Sequence, residues 1–451
     1  MCRSLAAGGM GAARSTVARI CIEWTVSLIK RMPGVWHHHP LRLKSVKRVE
    51  RIRLYPTPRQ ERRLHFILDV TRELYNALLQ ERRDAYRDRG ILVSSNQQYA
   101  ELTALRKEDA RVAAVYRENE DAVLHRLDLA MQAFFRRIKQ GETPGYPRFK
   151  SFVRWNQFQF SHAYRALRFD RPQGRVTIPG VGRVKLRKGR SVPAFGRGWI
   201  VAKNQRWYAC FECERDATPL ARQGTSVGID RGVHVLAATS EGQLIDNRAF
   251  GVRNRQRIAR HHRDLESVTW RDAAGRVCNR QDPQRKAAAL RLARAKEREA
   301  NRRRDYLHKM ARRIVRSADV IALETLNLRA MTRSAKGTPE KPGRNVAAKA
   351  GLNRAILDAS FGQSERLIAE KAEEAARAIV RVDARFSSQE CSRCGHVARE
   401  SRRRRRFACV ACGFTCHADV NAALVIRRRA QLALLRLPDA GGEPVVQHRA
   451  A

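Results

Sequence analysis

No stretch of the 451-residue chain approaches the roughly 18 consecutive apolar residues of a membrane-spanning helix, which excludes such a helix. Cysteine occurs ten times, but outside one block it lacks the spacing of a disulfide framework, so a reducing compartment is expected. The first 31 residues are poor in acid, their apolar run is broken by Glu23, and they lack a clean cleavage signature. They read as a disordered extension or an over-long start with Met32 as the true start, and not as a signal peptide. His37 to His39 sit in the same tail and are weak grounds for a metal site. Acid is outnumbered two to one by base: Asp+Glu number 44 against 91 Lys+Arg, a formal charge of +47 with a pI near 11.3. The excess runs along the whole length, so it calls for a polyanion. Nucleic acid is the expected partner, with an anionic membrane surface as the competing sink.

Against this background one block stands out, CSRCGHVARESRRRRRFACVACGFTCHADVNAALVI, from Cys391 to Ile426. Two Cys-x-x-Cys pairs, Cys391/Cys394 and Cys409/Cys412, are separated by 14 residues. Each pair can offer two thiolates from one knuckle, and four thiolates close a tetrahedral structural Zn²⁺ site, a zinc ribbon. Cys416, His396 and His417 lie near enough to replace a ligand. Asp419 follows seven positions after Cys412 at a helix start, where Asp419, Ala423 and Ile426 share a face. Alone, such an Asp is ordinarily a cap.

Taken in order, VERIRLY (Val49 to Tyr55) alternates like a strand, and PTPRQ opens a helix with Pro in its first turn. Leu64, Leu68, Leu74, Tyr75 and Leu78 form one helical stripe. Val123, Leu127, Ala130, Met131, Phe134, Phe135 and Ile138 form another, so residues 58–140 are a helical module. From 141 to 162 the regime changes: Gly and Pro punctuate a run in which Phe149, Phe152, Trp155, Phe158 and Phe160 interleave with Arg148, Lys150 and Arg154. Short strands continue to about residue 215. Basic and aromatic β segments suit single-stranded or A-form nucleic acid, and an ordinary barrel core explains the aromatics equally well. Cys210 and Cys213 resemble a metal pair, but positions i and i+3 of a strand point to opposite faces, so they are rejected as ligands.

TSVGIDRGVHVLAATSEGQLI (225–245) reads as strand, hairpin and strand, with Val227 and Ile229 on one face and Gly228 and Asp230 on the other. Gly228 and Gly232 flank Asp230 and would let a metal or phosphate approach closely. Residues 253–318 form an Arg-loaded helical pair whose second member carries Ala300, Leu307, Ala311 and Ile314 on one side. The buried strand ADVIALETL delivers Glu324 at its end; 329–347 has loop composition and the length of a lid; a helix over 351–377 and the strand AIVRVDARF lead to the ribbon. After 430 the pattern is lost.

Asp230, Glu324 and Asp419 thus stand where three elements could converge. Packed together without metal they would repel. Two Mg²⁺ (or Mn²⁺) ions about 3.5–4 Å apart would neutralise them and supply the clamp for in-line phosphodiester cleavage. Hard oxygen ligands keep such a site chemically separate from the soft zinc site.

GIDRG, ALETL and CSRCGH…FACVACGF…HADVNAA together resemble the three RuvC motifs and the interrupting zinc ribbon of the TnpB (OrfB) family, transposon-encoded RNA-guided DNA endonucleases related to type V CRISPR effectors. RIRLYPTPRQ and PGYPRFK resemble its wedge patterns and NRAILDASFG its helix before the ribbon, so the likeness covers about residues 48–427. The departures are the 31-residue extension and HAD before the acid, where family members often carry Arg or His. The resemblance implies an α/β multi-domain chain: an RNase H-like (RuvC) nuclease domain at 221–385 and 416–430, a zinc ribbon at 386–415, and a wedge β-barrel at 46–57 and 141–220. A helical recognition module at 58–140 completes it, with a disordered extension at 1–45 and a disordered tail at 431–451. It implies Asp230, Glu324 and Asp419 as the catalytic, metal-binding triad and Cys391, Cys394, Cys409 and Cys412 as zinc ligands. A guide RNA from the transposon end and a double-stranded DNA target beside a short adjacent motif are the implied partners. The implied location is cytoplasmic, at a prokaryotic nucleoid, with no membrane partner. A large diffuse positive charge is what guided recognition asks of a protein, since base pairing reads the sequence. The rivals are a nuclease-inactive RNA-guided repressor, an unguided transposase-associated nuclease, and a zinc-ribbon binding protein without chemistry. Relatives of the first kind would be expected to lack one of the three acids, and the last leaves their coincidence unexplained.

Overall fold

The computed structural model describes residues 46–170, 172–187, 194–338, 341 and 343–435. The expectations for residues 1–45, His37 to His39 and the tail after 435 lie outside them. The chain divides into two compact units, one built from Ser45–Arg215 and Ser267–Arg294, the other from Asp216–Glu266 and the chain from Ala295 onward.

In the first unit, β1 (Val46–Tyr55) hands over to α1 (Pro58–Arg89) through a capping box: Thr57 Oγ1 accepts from the Gln60 N–H, and Gln60 Oε1 accepts from the Thr57 N–H at 3.0 Å. Pro58 fills the first helical position, and Gly90 closes the helix at φ 67°. Helices α2 (Ser95–Glu108) and α3 (Arg117–Lys139) complete the helical module. Leu64, Leu68, Leu74, Tyr75 and Leu78 are buried in one core with Val123, Leu127 and Met131, as their spacing requires. The stripe of α3 does not stay buried to its end: Phe135 and Ile138 are exposed, because the chain leaves the core in the last turn.

The strands β2 (Gln157–Phe160), β3 (Arg168–Asp170), β4 (Arg175–Ile178), β5 (Gly182–Leu186), β6 (Phe195–Ala202) and β7 (Trp207–Arg215) join β1 in a seven-stranded antiparallel sheet, order β2-β6-β7-β1-β5-β4-β3. Trp155, Phe158 and Phe160 are core, whereas Phe149 and Phe152 are exposed. The barrel-core explanation therefore accounts for Trp155, Phe158 and Phe160 and not for Phe149 and Phe152. Cys210 and Cys213 sit within β7 and join no group of metal-ligating side chains among the described residues.

In the second unit, β8 (Ser226–Asp230), β9 (Val235–Thr239) and β10 (Leu244–Asp246) form an antiparallel meander. Helices α4 (Phe250–Glu266) and α5 (Pro283–Ser317) lead to β11 (Val320–Thr325). Leu307, Ala311 and Ile314 of α5 are buried, but Ala300 is exposed and does not belong to that face. The expected helix over 351–377 is two, α6 (Val346–Ala359) and α7 (Phe361–Glu374), broken at Ser360, which takes the left-handed conformation at φ 54°. Strand β12 (Ala378–Asp383) follows, then the small sheet β13 (Arg402–Arg403), β14 (Arg406–Ala408) and β15 (Thr415–His417), and finally α8 (Ala418–Leu435), which runs five residues beyond the point where pattern was expected to end.

The main sheet has order β10-β9-β8-β11-β12, with β8, β11 and β12 parallel. Alternation gives it two dissimilar faces. Val227, Ile229, Ile321 and Leu323 point toward α5, α6 and α7, while Ala322 and Val382 pack on Ile426 and Ala430 of α8. That second face is where the acids lie. No helix among the described residues is long and apolar enough to cross a membrane.

Candidate metal centres

The parallel register of β8 and β11 pairs Ala322 with Gly228 and Leu323 with Ile229, which sets Glu324 beside Asp230 at the strand ends. Helix α8 runs over the same face antiparallel to β8. Gln431 Nε2 donates to Ser226 Oγ at 3.2 Å, and Ala423 and Arg427 press on Gly228. Asp419, one turn before Ala423, therefore arrives at Asp230.

Gly228 has a different function from the one its sequence position suggested. A Cβ there would stand 2.1 Å from the Ala423 carbonyl oxygen and 2.6 Å from the Arg427 nitrogen. Its missing side chain lets the helix that carries Asp419 lie on the strand that carries Asp230. Gly232 faces the Val235 carbonyl, 2.8 Å from where a Cβ would be, so it too serves a close backbone approach.

Glu324 is buried and Asp230 and Asp419 are partly so. The Asp230 carboxyl is pushed up to about 8, first by burial, then by the negative charges of Glu324 and Asp419, against the pull of Arg402 and Arg231. Burial also raises Glu324, against Arg231. The three carboxylates do not draw into one tight group: their oxygens do not all lie within 4.8 Å of one another. The donor set nevertheless fits a divalent cation, since three hard carboxylates share one face and their mutual repulsion is what such a charge would relieve.

Two arginines of the site were not singled out from sequence. Arg231, whose side chain is 1% exposed, donates from Nη2 to the Glu324 carbonyl (2.7 Å) and from Nη1 to Glu365 Oε2 (3.0 Å), while its backbone N–H reaches Glu324 Oε1 at 3.3 Å. Glu365 in turn accepts from Arg381 Nε at 3.0 Å. Arg231 thereby ties β8 and β11 to α7 directly behind the acids. Its only signal in sequence is adjacency to Asp230. Arg402 Nη2 donates to Asp419 Oδ1 at 3.0 Å from the ribbon's first strand. It sits in the run SRRRRRF, where nothing distinguishes it from its neighbours.

The second centre is assembled locally. CSRCG and CVACG fold alike: Gly395 donates to the Cys391 carbonyl at 2.9 Å and Gly413 to the Cys409 carbonyl at 3.0 Å, both glycines at positive φ, 79° and 68°. The four sulfurs of Cys391, Cys394, Cys409 and Cys412 lie within 4.8 Å of one another, with Cys391 and Cys412 3.7 Å apart and Cys394 and Cys409 3.6 Å apart. A ZnS₄ tetrahedron with Zn–S of about 2.3 Å has edges of about 3.8 Å, so the four sulfurs stand at the spacing such a site requires. Burial works upward on Cys409, but the backbone N–H groups of Cys412 and Ala411 and the neighbouring thiols bring it down to about 6, which favours the thiolate a metal needs. Cys416, His396 and His417 do not join the group; the Cys416 thiol donates to the His417 carbonyl. Buried Asn421, two residues after Asp419, links the two centres, donating to the Glu390 carbonyl at 2.7 Å and accepting from the Ser392 N–H at 3.0 Å, on either side of Cys391.

Three family models match the chain: "Cas12f1-like, TNB domain" over residues 361–426, "Probable transposase" (OrfB_IS605) over 208–335, and "Helix-turn-helix domain" over 46–90, a stretch that here folds as β1 and α1. Among solved structures, a Cas12f1 complex with guide RNA and target DNA aligns with a TM-score of 0.50 at 12% identity, covering 85% of this chain and 99% of that one, a likeness of fold. A Streptomyces pristinaespiralis protein that bears the name of an RNA-guided DNA endonuclease is 29% identical over 389 residues, 84% of this chain and 89% of the relative. InsQ of Escherichia coli K12, named in the same way, is 31% identical over 305 residues, 66% of this chain and 70% of the relative. With that identity held over more than two thirds of the relative, and with the OrfB_IS605 transposase and Cas12f1-like TNB models matching this chain, the chain belongs to the TnpB (OrfB) family.

Proposed function

We propose that the chain is an RNA-guided, divalent-metal-dependent endonuclease of transposon origin that cleaves double-stranded DNA beside a short adjacent motif, with one RuvC-type site cutting the two strands in turn. The observation that carries this reading is the approach of Asp230, Glu324 and Asp419 on one face of a mixed sheet ordered β10-β9-β8-β11-β12, which is what an RNase H-like nuclease would require. The names of the relatives, an RNA-guided DNA endonuclease and a Cas12f1 endodeoxyribonuclease, point the same way.

Asp230, Glu324 and Asp419 would hold Mg²⁺ or Mn²⁺. When bound, such ions activate the attacking water and stabilise the leaving oxygen of an in-line displacement. The protein's own contribution is positional. The β8–β11 ladder fixes two carboxylates side by side, Gly228 admits the helix that brings the third, and Arg231 braces the strand ends from behind. Cys391, Cys394, Cys409 and Cys412 would hold Zn²⁺ and fix the start of α8. The positive charge spread over both units would bind the backbones of guide and target.

The test is purification from cells carrying the native locus, sequencing of bound RNA, and cleavage of matched duplex DNA, with Asp230→Ala and Asp419→Ala alongside. A discrete RNA bound equally by all three, and cutting by the parent alone, are expected. Cutting that survives Asp230→Ala, or RNA that departs with it, would overturn the assignment.

A further inference from the structure

The segment Tyr146 to Arg154 is a pinned, positively charged, aromatic strip on the helical module. Asn76 of α1 clamps it by a two-way bond, its Nδ2 donating to the Lys150 carbonyl at 3.0 Å and its Oδ1 accepting from the Lys150 N–H at 2.7 Å. Trp155 anchors its far end by donating from Nε1 to Thr71 Oγ1 at 2.9 Å. The segment thus has no regular secondary structure beyond one turn, yet its backbone is fixed.

It displays large aromatics in the open. Tyr146, Phe149 and Phe152 are 38%, 40% and 55% exposed, and Phe135 of α3 is 41% exposed. Phe134 links Tyr146 and Phe135, with ring centroids 5.3 Å from each. Cations stand beside them: the Arg83 guanidinium lies over exposed Phe149 at 5.2 Å, while Arg126 and Lys150 lie over the buried rings of Trp155 (4.4 Å) and Tyr75 (5.4 Å) at the base of the strip. The Lys150 ammonium is held below its ordinary range, first by partial burial and then by Arg126, Arg154 and Arg148, so like charges converge here. Exposed rings alone would suit a protein partner. Rings interleaved with crowded cations suit a chain that offers phosphates and unstacked bases together.

We propose that this strip seats an unpaired segment of the RNA carried by the protein, its bases stacked on Tyr146 and Phe149 and its phosphates on Arg148, Lys150 and Arg154. The RNA is favoured over the DNA target because crowded cations are costly whenever uncovered, and a resident polyanion covers them continuously. The proposal rests on the RNA-guided reading above and adds to it a site.

The experiment labels RNA in cells with 4-thiouridine, purifies the full ribonucleoprotein, crosslinks it at long wavelength and maps the modified peptides. A crosslink at Tyr146 or Phe149 is expected. In competition with unlabelled RNA, Tyr146→Leu/Phe149→Leu should speed RNA loss roughly tenfold or more without altering its salt dependence. Arg148→Gln/Lys150→Gln/Arg154→Gln should lower the slope of log affinity against log salt by about 2. RNA crosslinks confined to other peptides, or an unchanged loss rate in the leucine variant, would overturn the strip while leaving cleavage untouched. A crosslink at these residues from 4-thiothymidine-labelled target DNA instead of RNA would reassign it to the target and overturn the proposal. A parent protein that carries no RNA would sink both this site and the guided reading.

Discussion

The ribbon and the carboxylate cluster are both candidate metal centres by composition, yet they are built on opposite plans. In the ribbon each ligand pair sits within one tight knuckle, and the four sulfurs come within 4.8 Å through local hydrogen bonds and two left-handed glycines. The acids come from two parallel strands and a helix that are distant in sequence, and they stay more open than the thiolates. A closed soft site can only hold its ion; an open hard site leaves room for substrate. The difference predicts that injury to the first should be read in folding and injury to the second in chemistry.

The largest effect should follow Cys391→Ser. Structural zinc supplies on the order of 10 kcal/mol, so the variant should lose zinc by elemental analysis and lose the cooperative melting of the second unit. Cleavage should go with it, because Asn421 fastens the first knuckle to the turn that bears Asp419. A zinc-free variant that still cuts would break the link between the two centres.

Asp230→Asn should do the reverse. Cleavage falls below detection, while zinc content and RNA binding persist. In chelator the variant should melt above the parent, because it removes a charge that burial and two neighbouring carboxylates disfavour. Chelation sharpens the same contrast: brief EDTA treatment should stop cutting reversibly on Mg²⁺ return, with zinc retained. A melting temperature lower than the parent's would mean that Asp230 is structural.

Much of this contrast was legible in the residues. Cys-x-x-Cys spacing is a local code, and a knuckle folds the same way wherever it stands. The period of two that separates Val227 and Ile229 from Asp230 correctly assigns the faces of β8, since one face of a sheet must be apolar. What could not be read is what depends on packing between distant elements. The glycine before Asp230 looked like an approach for a ligand and is the seat of a helix. Arg402 was lost among identical neighbours. Ser360 breaks a helix that its flanking pattern would continue, and Ala300 carries too little apolar surface to decide a face.

Gly228→Ala tests that packing at an intermediate scale. A methyl group 2.1 Å from a helix carbonyl must displace α8 from β8, at a cost on the order of 3 kcal/mol. Asp419 moves with the helix, so cutting should fall further than stability, whereas zinc content should not change. Denaturant melts beside initial cleavage rates would measure both. Loss of zinc in step with activity would show the two centres to be less separable than their chemistry suggests.

The smallest effect lies in the other unit, whose described residues form no group of metal-ligating side chains and which serves as the control. Glu120 is fully buried, and both its oxygens stand 2.6 Å from Arg106 Nη1. Burial outweighs the arginine and pushes its carboxyl up to about 7. A folded value above the unfolded one means the folded state holds the proton more tightly. The extra stability is therefore full below the ordinary carboxylate range near 4.5 and is lost as pH rises through about 7. Urea melts of the full chain should show the first unit's transition falling modestly from pH 5 to pH 8, and Glu120→Gln should flatten that slope. Zinc content and the divalent-metal requirement should be the same in parent and variant. A pH slope untouched by Glu120→Gln would place its origin among the acids of the second unit, where Asp230 is the next group to examine.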